Sequence, residues 1–285
     1  MPSTQPTFDV EEAIGFGQLV NAAYATSPGD LTNRAGEALS AGGVDYTVVT
    51  TIYANDLATD MNPGRVDDDV SIGLICQDEK TGDVAIAIRG TEGMLEWMHD
   101  AEFLQVPCPF LAGAGHTEDG FTDMYVSLRT GAASGAPTVI NTFAKLPFRQ
   151  PVGSVTLCGH SLGGALATLL ALDMAANTKF TVAAVYTYGS PRTGDSLFAR
   201  SYDQAVKNSW RIANRLDVIT ALPPPIDYEH VLNPHDLNPI RLVPLPPKVL
   251  VKYSVLCEHS LATYLYLLSL QSGGPVLALE PACKP

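Results

Sequence analysis

The chain has 285 residues, 46% of them hydrophobic and 16% charged, enough for one large α/β domain or two small ones, with no linker or repeat to divide it, and too apolar to be disordered. A balance of 30 acidic to 17 basic residues gives a net charge of −13, which argues against nucleic acid as a partner and leaves no polybasic membrane anchor. A neutral or weakly charged substrate is the easier fit.

In chain order, Phe8 to Ala25 has helical spacing, with Asp9 and Glu12 as a capping box. Tyr46–Ala54 alternates as a strand, and Ser71–Gln77 with Asp83–Arg89 form a hairpin joined by Asp78 to Gly82. Helices are expected over Gly120–Arg129 and Thr138–Leu146. A strand from Val155 leads into a turn at Ser161 and a helix from Leu162 to Ala176. Thr181–Tyr188 is a strand, Gly189 to Gly194 a turn, and a helix follows to about Val206, with Asp195 and Ser196 at its start. Strand Ser209–Ala213 precedes Asp217. The proline-rich stretch Pro223–Pro247 reads as loop, Lys248–Leu256 as strand and Ser260–Leu270 as helix.

Antiparallel pairing followed by strand–helix alternation implies a single α/β domain over residues 1–285, a mixed, mostly parallel central sheet flanked by helices on both faces. Functional loops then gather at the carboxyl ends of the strands. Residues 1–8 lack a basic segment leading into an apolar run, so no signal peptide is visible. The apolar runs Ala165–Leu172 and Leu261–Leu270 are too short for a transmembrane segment. The 5 cysteines cannot all pair, and Cys158 reads as a small buried hydrophobe. A cytoplasmic protein with reduced thiols and a mature secreted form both fit.

The densest chemistry lies in Gly159-His160-Ser161-Leu162-Gly163. A strained strand-to-helix turn lifts a serine hydroxyl clear of the backbone and needs nearly side-chain-free neighbours, here Gly159 and Gly163. The Leu162 N–H, at the start of the helix, points where an oxyanion would form. A serine nucleophile requires a base, and the base an orienting acid, in the chain order Ser, Asp or Glu, His. Among the acids, Asp195 and Asp203 fall at or in a helix, and Asp227 and Asp236 in the proline-rich loop. Asp217 alone directly follows a strand. His259, between a strand and a helix, is the expected base; His230 is the alternative, and His235 also lies in the loop. Glu258 reads as solvated.

Thr91, in Arg89-Gly90-Thr91 at the end of the hairpin, is the expected second oxyanion donor through N–H and Oγ1, unless it only caps the next helix. In that helix Met94, Leu95, Trp97 and Met98 share one face, opposite Glu92, Glu96, His99 and Asp100. Such a helix serves either as a movable cover over an acyl groove or as an ordinary surface helix. Asp67-Asp68-Asp69 reads as a solvated acidic loop, and His116 as a loop-fixing residue near the site. With no His-Glu-x-x-His or paired Cys-x-x-Cys, neither a metal nor another cofactor is expected.

Taken together, Arg89-Gly90-Thr91 with Trp97, Gly115-His116 with Gly120-Phe121, Gly159 to Ala165, Tyr188 to Gly194, Asn214–Ile219 with Pro223, and His259 resemble the class 3 (fungal-type) lipases of the α/β-hydrolase fold. The resemblance implies a serine carboxylester hydrolase with Ser161 as nucleophile, Asp217 as acid, His259 as base, and Thr91 and Leu162 as oxyanion donors. It implies that Gly93 to Glu102, within a helix at about 93–104, corresponds to the family's lid. A lipid ester, acylglycerol or related, at a lipid–water interface would be the substrate. Esterases for short or aromatic acyl groups, phospholipases and a non-catalytic scaffold are the competing readings. The proline-rich stretch and the absence of an evident disulfide framework set the chain apart from the secreted fungal enzymes.

Overall fold

Asp9, extended in backbone, accepts the N–H groups of Glu11 and Glu12 at 2.9 and 3.1 Å and so caps α1 (Val10–Tyr24). The capping box is not completed by Glu12, whose carboxylate instead accepts from Tyr186 Oη at 2.7 Å. The computed structural model describes residues 7–27, 29–55, 69–91, 102–133, 135–241 and 248–285.

After α1 come β1 (Ala38–Ala41), β2 (Val44–Asn55), β3 (Asp69–Asp78) and β4 (Val84–Ile88), each antiparallel to the one before it. β1 was not foreseen. Its signal was the Gly42-Gly43 pair, where both residues hold positive φ, as a two-residue hairpin turn requires. A small antiparallel pair, β5 (Gln105–Pro107) and β6 (His116–Glu118), leads to α2 (Asp119–Val126) and the short α3 (Val139–Thr142). β7 (Val155–His160), α4 (Leu162–Asn177), β8 (Val182–Tyr188), α5 (Ser196–Ala205) and β9 (Ser209–Asn214) follow as alternating units. β10 (Pro234–Leu237) adds a last parallel strand beside β9. The sheet order is β1-β2-β3-β4-β7-β8-β9-β10, parallel from β4 onward, the mixed, mostly parallel sheet the alternation implies.

Two expectations are corrected in the last third. The proline-rich stretch is not all loop, because β10 occupies the sheet edge, where Pro234 can begin a strand without a needed N–H. Lys248–Leu256 is not a strand. Only β12 (Lys248–Val249) pairs, with β11 (Ile240–Arg241); the chain then turns into α6 (Val255–His259), which Ser254 caps by accepting Cys257 N–H at 3.1 Å. A disulfide, Cys257–Cys283, ties α6 to the C-terminal segment, and Cys76, Cys108 and Cys158 remain as buried thiols. α7 (Leu261–Ser272) closes the fold.

Strand alternation divides the core between the two faces. Ile86, Leu157 and Val185 pack with Phe121 of α2, Leu166 of α4 and Phe198 of α5; Ala85, Cys158 and Tyr186 pack on the other face with Leu19 of α1 and Leu268 of α7. α4 is buried continuously from Leu162 to Met174, which its uniformly small and apolar sequence permits. No helix among the described residues is long and apolar enough to cross a membrane. Register aligns Ile88 with Gly159, His160 with Tyr188, and Tyr188 with Ile212. The loops carrying Thr91, Ser161, Gly189 and Asp217 therefore leave the same edge of the sheet.

Candidate active site

Ser161 stands between β7 and α4 at φ 58° and ψ −129°, a conformation costly for a residue with a side chain. Close packing enforces it. A Cβ on Gly159 would lie 2.1 Å from Gly163 O, and one on Gly163 would lie 2.3 Å from Ile88 O. The tight turn thus requires both glycines, as the motif suggested.

The structure brings Ser161, Asp217 and His259 together. Ser161 Oγ lies 2.7 Å from His259 Nε2, and His259 Nδ1 lies 2.7 Å from Asp217 Oδ2. A buried carboxylate can only accept, so Nδ1 carries the proton and Nε2 is left to accept the serine O–H. Asp217 also receives Tyr264 Oη at 2.6 Å on Oδ2 and the Ile219 N–H at 3.0 Å on Oδ1. Its side chain has no solvent exposure (0%), and these donors take the place of water.

Asn214 joins the two halves of this arrangement. Its carbonyl and Oδ1 accept the N–H groups of Asp217 and Leu216, while Nδ2 donates to the carbonyl and Oε2 of Glu258, both at 2.8 Å. Glu258 is therefore not solvated: the single turn of α6 folds it inward, and burial raises its pKa despite the Asn214 bond. His259 ends α6 instead of following a strand, yet reaches Ser161 as expected.

Thr91 follows Gly90, where a Cβ would lie 3.0 Å from Ser161 Cβ, so the loop runs directly beside the serine. Leu162 is buried at the first position of α4, where an N–H has no partner within the helix. Tyr24 locks the loop in place: its hydroxyl accepts Gly90 N–H at 2.8 Å and lies 2.7 Å from His160 Nδ1. His160 Nε2 donates to the carbonyl of His259 at 2.7 Å, so Nδ1 accepts the tyrosine proton. Burial, reinforced by His259, holds the His160 pKa well below its ordinary value, and burial pushes Tyr24 up to about 12. Sequence reading missed Tyr24, His160, Asn214 and Tyr264 as site residues.

Other expected residues lie elsewhere. His230, the alternative base, bonds through Nε2 to Thr220 O at 2.7 Å and does not replace His259 at the serine. His235 stacks on Phe8 and bonds Gln271, and Asp195 caps α5 while pairing with His116. Asp69 is not a solvated loop residue but opens β3 and forms an ion pair with buried Arg129; Asp67 and Asp68 lie outside the described residues. Arg192 bonds Ala221 O and Pro223 O and so fixes the segment beyond Asp217. The expected lid residues Met94, Leu95, Trp97 and Met98 lie outside the described residues.

Residues 85–226 match the family model described as lipase (class 3). The chain is 33% identical over 155 residues to phospholipase A1-II 1 of Oryza sativa subsp. indica, covering 50% of this chain and 39% of that protein. It thus spans about two-fifths of that relative's length. Phospholipase A1 EG1, chloroplastic/mitochondrial, of the same subspecies is 30% identical over 302 residues, covering 90% of this chain and 68% of that protein. A crystal structure of a mutant form of MDLA from Penicillium cyclopium superposes with a TM-score of 0.61 at 23% identity, covering 81% of this chain and 82% of that one.

Proposed function

The chain belongs to the class 3 lipase family, and from that membership we propose that it is a serine carboxylester hydrolase acting on lipid esters, through Ser161, His259 and Asp217. One observation carries the reading: the unbroken path Ser161 Oγ, His259 Nε2, His259 Nδ1, Asp217 Oδ2, each contact 2.7 Å.

In this mechanism His259 Nε2 takes the serine proton as Oγ attacks the ester carbonyl carbon. The tetrahedral oxyanion is held by the N–H of Leu162 and by the N–H and Oγ1 of Thr91. Collapse breaks the ester C–O bond, and His259 returns the proton to the departing alcohol. A water molecule, deprotonated by the same nitrogen, attacks the acyl-serine and releases the fatty acid. Asp217 keeps its hydrogen bond to His259 Nδ1 and stabilises the imidazolium at both stages.

A phospholipid ester is a second substrate reading beside an acylglycerol, favoured by the phospholipase A1 relative that aligns over most of this chain. Hydrolysis of short-, medium- and long-acyl esters and of a diacyl phospholipid, with Ser161→Ala as control, tests both. Turnover lost in the control supports the assignment; turnover retained there refutes it.

A further inference from the structure

Within α6 the usual partition of a surface helix is reversed. Val255 and Leu256 are 45% and 70% exposed, whereas Glu258, the charged residue of the turn, is 3% exposed. Tyr253 just before them is 57% exposed, and Val218, on the single helical turn packed against α6, is 51% exposed. These four apolar or aromatic side chains lie immediately before His259 and after Asp217. They form an apolar rim on the two segments that carry the base and the acid.

The charge around this rim is also reversed. The chain carries −13 overall, yet residues 249–257 contain Lys252 and no acid. Lys252 N–H donates to Cys283 O at 3.0 Å, which brings the exposed Lys284 to the same corner. The exposed Glu280 is tied to Ser260 Oγ at 2.6 Å, beyond the other end of α6. Cys257–Cys283 pins the rim to this corner, so the apolar residues and the lysines are held together.

We propose that Tyr253, Val255, Leu256 and Val218, with Lys252 and Lys284, form a docking surface for a zwitterionic phospholipid bilayer. Aliphatic side chains enter the acyl boundary, while Tyr253 and the lysines reach phosphate at head-group level. Charge complementarity selects this partner: the local lysines attract phosphate, while the net charge of the chain disfavours a strongly anionic surface. Docking there sets the mouth of the site against the lipid. The inference rests on the reading of the site as a lipid ester hydrolase.

The test is flotation with phosphatidylcholine vesicles, with Ser161→Ala protein so that the vesicles stay intact. Val255→Ser with Leu256→Ser should lower the partition coefficient about tenfold or more, and Lys252→Glu by a smaller factor. With Ser161 intact, the same substitutions should leave hydrolysis of a soluble short-acyl ester unchanged, which also verifies folding. Independently, Leu256→Trp should shift its emission to the blue when vesicles are added. Unchanged partitioning, or no blue shift, overturns the proposal. So does a dimer in solution that dissociates on substitution, since a second copy would then cover the rim. Vesicle binding without hydrolysis of any ester would sink the functional reading and leave the docking surface standing.

Discussion

His160 Nε2 donates to the carbonyl of His259 at 2.7 Å, so the residue preceding Ser161 holds the backbone of the histidine that contacts it. The other ring nitrogen is tied through Tyr24 Oη to the N–H of Gly90. One buried imidazole thereby fixes both His259 and the loop of Thr91, and it can do so only while neutral.

Protonation of His160 should therefore destabilise the fold. Its pKa is depressed by burial, with His259 adding, while in the unfolded chain it stays near 6.5. The unfolded state takes up a proton below that value and the folded state does not, so this contribution is present above about pH 6.5 and lost as pH falls. The decline in Tm from about pH 7 to pH 5 should be shallower in His160→Gln than in the parent. An identical slope in both would count against a neutral buried ring.

Glu118 should act in the opposite direction. It caps α2 by accepting Phe121 N–H at 2.7 Å, and burial raises its pKa to about 7 from 4.5. The folded state holds the extra proton between those values, so stability is fully present below about pH 4.5 and is lost as pH rises through 7. Glu118→Gln keeps the acceptor and cannot ionise. Its Tm relative to the parent should rise between about pH 5 and pH 8; a constant difference would contradict the assignment.

Asp217 and Tyr264 should be graded in effect. Asp217→Asn leaves the geometry but favours the wrong histidine tautomer, and by analogy with serine proteases kcat should fall by about 10⁴. Tyr264→Phe removes one of the donors to the same carboxylate, a bond to a charged group worth about 1.5–3 kcal/mol, so kcat should fall roughly ten- to hundredfold with little change in KM. Equal losses in the two variants, or a loss in KM alone, would be inconsistent with this order.

On the proposed mechanism, Thr91→Val removes a hydroxyl that would donate to the developing oxyanion. A loss of about 3 kcal/mol, or roughly a hundredfold in kcat, is expected with folding retained. Activity within twofold of the parent would reduce Thr91 to a cap.

What could be read in the sequence follows from how local each constraint is. The elbow was legible because backbone strain at Ser161 demands Gly159 and Gly163 within two residues. Asp217 was legible because the end of β9 places it at the carboxyl edge of the sheet. His259 was identified as a residue but set on the wrong element: β-branched Val249, Val251 and Val255 suggest a strand, while Ser254 capping and Cys257–Cys283 impose a helical turn. Glu258 was misread because its partner, Asn214, lies on a distant strand. Tyr24, His160 and Tyr264 look like ordinary core residues until tertiary packing supplies Gly90, His259 and Asp217 as partners.

The central claim is that folding makes Ser161 a nucleophile by placing His259 and Asp217 beside it. Labelling with a fluorophosphonate, read by peptide mass spectrometry, tests it most directly. The account predicts a single adduct on Ser161 in folded protein, lost in His259→Ala and after denaturation. Absence of the adduct in folded protein, or undiminished labelling without the imidazole, would contradict it.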